Sequence, residues 1–268
     1  MNGGGGAATA VPIHMKKLLR KGWRPVSVII LLLLLWECSS RLFEIPTWLL
    51  PAPTEIAQEG IASWADYQHH LLSTTKLSVL GFVIGVSVGL LIAIILHLLP
   101  TVREAFYPLL ILSQNIPIIV LAPLLVIWFG FGVLPKILVI TLVCFFPIAV
   151  AALDGFRQTS AELIHYMQMA GASKQQIFKK LELPHALPSI FSGLKISATY
   201  SVMGAVISEW LGANQGIGVY MTLAQSSFRT DRVFVAIGFI MILCLLFFAV
   251  IIGLEKMLIK WRRAEGGE

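Results

Sequence analysis

Charge is scarce in this sequence: twenty Lys and Arg and fourteen Asp and Glu among 268 residues, or 13%, where soluble domains carry about 25%. That deficit excludes an ordinary water-soluble domain, and a mean hydropathy of +0.84 points the same way. Cysteine is scarce too. Cys38, Cys144 and Cys244 stand far apart inside apolar stretches, which suits small buried hydrophobes and offers no disulfide framework or metal-binding spacing. No G-x-x-x-x-G-K-[ST] phosphate loop occurs, so any ATP chemistry has to be borrowed from another chain. No H-E-x-x-H occurs and the six histidines are scattered, which disfavours a membrane-embedded metallopeptidase. The adjacent His69-His70 pair has no third ligand nearby and reads as plain loop.

What the chain has instead is apolar length. Leu77–Leu96 runs twenty residues and Val233–Leu254 twenty-two without a charge. About twenty residues at 1.5 Å each cross a ~30 Å hydrocarbon core. The expected fold class is an all-α membrane protein with six transmembrane helices, near residues 25–43, 71–98, 105–128, 133–153, 189–211 and 233–254. These make a transmembrane domain over 25–256, after a flexible stretch 1–24 and before a tail 257–268. The glycine-rich start MNGGGGAATAVPIH reads as an unstructured tail, with Met15 a candidate initiation site. Lys16 to Arg24 ahead of VSVIILLLLLW imitates a signal peptide. No small-x-small cleavage site follows, and Glu37 before Cys38 spoils a lipoprotein signal, so an uncleaved first span is expected. Glu37 and Arg41 inside it are spaced to pair across one helical turn.

Three spans carry more than hydrophobicity. Gly81, Gly85 and Gly89 in the second lie along one helix face and let a neighbouring backbone approach closely. Ala105 to Pro135 holds no charge but contains Pro108, Pro117, Pro123 and Pro135. Broken backbone in a membrane is tolerated where protein or a water-filled cavity satisfies it. Gln114-Asn115-Ile116-Pro117 therefore reads as a candidate pathway wall, with a simple proline kink as the alternative. The fifth span ends on Glu209, which sits near an interface or faces an internal cavity. Gly212, Gly216 and Gly218 after it signal a tight turn or hinge. Asn115, Pro117, Glu209, Gly216 and Gly218 are the pathway candidates.

With the amino terminus in the cytoplasm, fifteen Lys and Arg fall inside and five fall outside or nearest that face, a positive-inside bias. The +6 net charge is thus a topology signal, and nucleic acid is not an expected partner. Both termini and the loop 154–188 lie inside on this reading. That loop is polar between two apolar spans. Thr159-Ser160-Ala161-Glu162 and Ser173-Lys174-Gln175-Gln176 fit capping boxes. Gly171 between them suits the left-handed residue that ends a helix. The second helix is expected to stop near Leu183, because Pro184 disfavours helix at the residue before it. Ile177, Phe178 and Leu181 form an apolar strip suited to a groove in a partner.

Gly171, nine residues, then Leu181-Glu182-Leu183-Pro184 resembles the EAA loop of permease subunits of ATP-binding-cassette importers. The family's Glu-Ala-Ala triplet is here His165-Tyr166-Met167, a departure; the glycine and Leu-Pro halves are intact. LLPAPTEI, NIPIIVLAPLLVIWFGFG and Glu209 with Gly216–Gly218 extend the likeness over most of the chain, toward permeases for nitrate, sulfonates, taurine and vitamin precursors. The resemblance implies a type I importer (MetI-like) fold with cytoplasmic coupling helices in a multi-pass cell-membrane protein. It implies two permease subunits around the pathway, expected as a homodimer with a different second subunit as the alternative, and an extracytoplasmic substrate-binding protein delivering cargo. Each loop would dock into an ABC ATPase subunit that binds and hydrolyses ATP, through Met167, Ala170, Gly171, Ala172, Ser173, Ile177, Phe178, Leu181, Leu183 and Pro184. No cofactor in this chain, and no enzyme activity of its own, is expected. YSVMGAVISEWLGANQGIGVYMTLAQSSF is most similar to permeases for thiamine-precursor pyrimidines, with riboflavin, sulfonate, taurine and nitrate permeases as alternatives. A stand-alone secondary transporter is the rival class. It needs several intramembrane acids and often inverted repeats; Glu209 is the one unpaired candidate.

Overall fold

A computed structural model describes residues 13–259, with side chains from residue 23 onward. Among the described residues there are eleven α-helices, one π-helical turn and no strand. In chain order they are α1 Ile13–Leu42, α2 Pro53–Ala62, α3 Trp64–Leu98, α4 Pro100–Ser113, α5 Ile118–Phe129 and α6 Val133–Arg157. Then come α7 Ala161–Met169, α8 Lys174–Ile177, the π turn Phe178–Glu182, α9 Leu183–Glu209, α10 Ile217–Ser226 and α11 Thr230–Leu258. Five of the described helical stretches are long and apolar enough to cross a membrane, and α4 with α5, bent by 100°, makes a sixth if counted as one span. Of the expected tails, residues 1–12 and 260–268 lie outside the described residues, whereas 13–24 open α1 and 257–258 close α11.

Glycine spacing sets the centre of the bundle. α3, α6 and α9 pack together because α3 presents Gly81, Gly85 and Gly89, all buried, to α6. A Cβ on Gly85 would come within 2.6 Å of the Cys144 Cβ, and one on Gly89 within 2.6 Å of the Phe145 carbonyl. α9 repeats the device: a Cβ on Gly193 would meet the Pro147 carbonyl at 2.8 Å. Lipid tails are as apolar as leucine, so helices associate here through close van der Waals contact and interhelical hydrogen bonds. Ser197 Oγ supplies one such bond, donating to the Cys144 carbonyl at 2.7 Å. Cys144 is buried as expected of a small hydrophobe, whereas Cys38 is exposed on α1; all three cysteines are free. α1 stands against the bundle through its end. Arg41 Nε donates to Glu37 Oε1 at 2.5 Å, and Glu37 Oε2 accepts from the Thr54 backbone N–H at 3.0 Å.

Three expectations about boundaries need correction. α3 begins at Trp64, so His69 and His70 are helical, not loop. Ser160, not Thr159, caps α7, accepting from the Leu163 N–H at 3.5 Å. Pro184 does not stop the helix. The Leu183 N–H reaches back to the Phe178 carbonyl, the wider π spacing, and the helix continues through Pro184 into α9. The chain from Lys174 to Glu209 is consequently one run of 36 residues.

Candidate functional site

The polar loop folds as two short helices around a corner. α7 ends at Met169, and Gly171 takes φ +80°, the left-handed conformation that glycine adopts without steric cost. Ser173 then starts α8 with a full capping box. Its N–H donates to Gln176 Oε1 at 2.7 Å, and the Gln176 N–H donates to Ser173 Oγ at 3.3 Å. Ala170, Gly171 and Ser173 are exposed, while Met167 and Ala172 are half-buried.

The apolar strip faces the other way from expectation. Ile177 is 5% exposed, and Phe178 packs on Phe156, ring centres 5.5 Å apart. Leu183 packs with Phe178 against a core cluster of α3, α4, α6 and α9 that includes Leu96, Leu110, Leu153 and Ile190; Leu181 and Pro184 are half-buried. These residues anchor α8 and the π turn to the chain's own bundle. The outward apolar face belongs to α7, where Leu163, Tyr166 and Met169 are 51%, 68% and 82% exposed. Their spacing of three places them along one side of that helix. Tyr166 stands in the departing triplet, which is why motif matching passed over it.

The proline-rich stretch breaks at the expected place. The backbone departs from helix between Ser113 and Ile118, and Gln114, Asn115 and Pro117 are exposed. Beside the break lies a groove of about 390 Å³ lined by Gln114, Pro117, Leu121, Phe146 and Tyr200, among others. Asn115 stands at its edge in sequence but is not part of its wall.

Glu209 is not beside that groove. It is 1% exposed, and both carboxylate oxygens are occupied. Thr74 Oγ1 donates to Oε1 at 2.7 Å, and the Gly218 N–H donates to Oε2 at 2.8 Å. Thr74 Oγ1 in turn accepts from the Ile217 N–H at 2.8 Å, and His70 Nδ1 accepts from the Gly216 N–H at 3.0 Å. Three free donors at the start of α10 are thereby satisfied by α3 and α9, and the carboxylate sits at the positive end of the α10 dipole. Gly216, at φ +135°, leaves room for the carboxylate, which a Cβ there would overlap. Sequence reading singled out Glu209, Gly216 and Gly218 as pathway candidates rather than as a packing network, and missed His70, Thr74 and α10 itself. Tyr220 seats α10 against Tyr67, ring centres 5.8 Å apart, and burial pushes its phenol above the ordinary range. Nearby, Glu59 holds Arg229 at 3.0 Å and Arg232 at 2.7 Å.

Gly85-Val86-Ser87-Val88-Gly89 has the G-x-S-x-G spacing of hydrolase nucleophile elbows. It lies in mid-α3, and Ser87 Oγ donates to the Val83 carbonyl at 2.8 Å, so no strand-to-helix elbow exposes it. Among the described residues no group of three or more His, Cys, Asp or Glu is placed to hold a metal.

The described residues form a helical bundle with five candidate membrane spans, a bent helix pair and a helix-corner-helix loop. Residues 85–258 match the model of the binding-protein-dependent transport system inner membrane component family, and the chain belongs to that family: it is the permease subunit of an ABC importer. It is 36% identical to the formylaminopyrimidine transport permease protein ThiX of Halalkalibacterium halodurans, covering 90% of this chain and 96% of that one. It is 29% identical to the riboflavin transport system permease protein RibX of Chloroflexus aurantiacus, over 94% and 96% of the two chains. The taurine transport system permease protein TauC of Escherichia coli is 31% identical, over 88% of each. Among solved structures, that of an amino acid ABC transporter with histidines superposes at a TM-score of 0.58 and 16% identity, over 70% of this chain and 92% of that one; this likeness concerns the fold.

Proposed function

We propose that this chain, paired with a second copy of itself, forms the pathway for a thiamine-precursor pyrimidine, driven by ATPase subunits docked on its cytoplasmic loop. The cargo rests on one observation: identity to the formylaminopyrimidine permease is 36%, against 29% and 31% to the riboflavin and taurine permeases. The fifteen-to-five distribution of Lys and Arg supports cytoplasmic termini and a cytoplasmic α7–α8 loop. A substrate-binding protein then meets the opposite face of the cell membrane.

The geometry supports a division of labour along the chain. Leu163, Tyr166 and Met169 offer the ATPase an apolar helix face suited to a groove. Gly171 turns the chain, and Ser173 caps the start of α8. α8 is seated on the bundle by Ile177 and Phe178, so displacement of α7 is passed into α9. The exposed break at Gln114 to Pro117 and its groove are the candidate pathway surface, since open backbone polar groups within a membrane require water or protein. Glu209, Gly216 and Gly218 act on the pathway indirectly, by fixing α10. ATP is bound and hydrolysed by the partner.

Proteoliposomes holding this permease, its ATPase and its binding protein should accumulate radiolabelled formylaminopyrimidine only when ATP is supplied. Excess taurine, aliphatic sulfonate, nitrate or riboflavin should compete poorly. Preferential uptake of one of those solutes would reassign the cargo. Uptake by this chain without ATP or ATPase would replace the importer reading with a secondary transporter.

A further inference from the structure

One polar contact joins the loop to the bundle without having been signalled by any motif. His97, in the last turn of α3, lies 3.0 Å through Nε2 from Glu182 Oε2, and both side chains are 15% exposed. A carboxylate only accepts, so the imidazole Nε2 carries the proton and donates. The ring is held on its faces as well: its centre is 4.7 Å from that of Phe156 and 5.9 Å from that of Phe178. A helix C-terminus favours a donor with positive character, which the end of α3 provides. Glu182 closes the π turn, Phe178–Glu182, where the ordinary hydrogen-bond ladder between α8 and α9 is interrupted. Motion of α8 along the backbone must therefore pass a segment with a loosened ladder, whereas motion through Glu182 passes directly to α3.

The other end of α3 holds the buried network. His70 and Thr74 accept the Gly216 and Ile217 N–H groups, and Thr74 also donates to Glu209. His70 and His97 are twenty-seven residues apart on one unbroken helix, about 40 Å at 1.5 Å per residue. α3 is thus tied at one end to the ATPase-facing loop and at the other to α10. We infer that His97 and Glu182 are positioning residues that carry displacement of the loop into α3, and through it to the Glu209 network. This rests on the proposal that the loop docks an ATPase.

The test uses the full complex of permease, ATPase and binding protein in proteoliposomes, with solute moved per ATP hydrolysed as the readout. His97→Phe keeps the aromatic stack and removes the polar bond; Glu182→Gln keeps the volume and weakens it. Both should lower solute moved per ATP by about five-fold or more, the low end of measured coupling between sites, with ATP hydrolysis and subunit co-purification within about two-fold. His97→Gln, which can still donate to Glu182, should retain most of the coupling. If His97→Phe fails to assemble, Glu182→Gln decides. Unchanged solute per ATP in an assembled His97→Phe or Glu182→Gln complex overturns the inference. So does equal loss in His97→Gln, because packing rather than the polar bond would then be at stake. Absence of ATP-dependent uptake by the unmodified complex overturns the ATPase-docking reading as well, and is distinguishable because no variant is needed to see it.

Discussion

The two ends of α9 are built on different principles. At the end near Glu209, a buried carboxylate accepts two hydrogen bonds, one from a side chain 135 residues away. Glycines there are shaped around it. At the end near Leu183, the helix runs into a π turn, a half-buried histidine–glutamate contact and a corner with nothing within 4 Å of where a Gly171 Cβ would sit. Deep burial makes the first end all-or-none, because removing one partner leaves others unsatisfied in a medium that offers no replacement. The second end is only partly buried, and the π turn interrupts its hydrogen-bond ladder. A device that converts a push on one side into a rearrangement elsewhere needs both a compliant input and a firm fulcrum.

Substitutions at the Glu209 end should therefore damage folding, and damage it most. Glu209→Leu strands the Gly218 N–H and leaves the Thr74 hydroxyl only the longer bond to the His70 carbonyl, at 3.2 Å; an orphaned buried group costs about 1–3 kcal/mol. The detergent-solubilised protein should lose several degrees of unfolding temperature and much of its yield, while Glu209→Gln, which keeps one acceptor, should fall between. Equal thermal stability of Glu209→Leu and the unmodified chain would dissolve the contrast between the two ends. Gly216→Val comes next. It forces a left-handed φ of +135° and sets a Cβ on the Glu209 carboxylate, so α10 should detach. Cysteines introduced on the buried face of α10 should then label from water in this variant and not in the unmodified protein.

Much of this was legible in the residues, and the exceptions share a cause. Long uncharged runs fix their helices by length alone, and the α3 glycines announce their packing face through a four-residue period. Gly171 and the Ser173 box are local devices whose meaning is complete within five residues. His70, Thr74 and His97 act through partners 85 to 146 residues distant, and nothing adjacent to them in sequence carries that information. The orientation of Ile177 and Phe178 failed for a related reason: an apolar strip says that something covers it, not whether the cover is this chain or another. Pro184 misled because its rule holds for an α ladder, and a π turn upstream removes the conflict.

At the loop end the expected order reverses, with small effects on stability and larger ones on coupling. Tyr166→Glu with Met169→Glu places charge on exposed positions, so the unfolding temperature should barely change while the ATPase ceases to co-purify. Retained co-purification would return the docking surface to α8. Gly171→Val meets no atom within 4 Å, so its cost is backbone alone, about 1–2 kcal/mol for a left-handed residue with a Cβ. Transport per ATP should fall although the complex assembles, and Gly171→Asn, better tolerated in that conformation, should recover part of it.

The mildest expected change is Ser173→Ala. It removes the side-chain acceptor of the Gln176 N–H, which keeps the Ser173 carbonyl at 2.9 Å; a cap of this kind contributes about 1 kcal/mol. α8 spans only four residues, so this is enough to fray it, yet the water-facing backbone can solvate the freed group and the bundle beneath is untouched. Thermal unfolding should be indistinguishable from that of the unmodified protein, while hydrogen exchange at Gln176 and Ile177 quickens. A measurable drop in global stability would mean that the loop end is as firmly locked as the Glu209 end, and that compliance must be sought elsewhere in the chain.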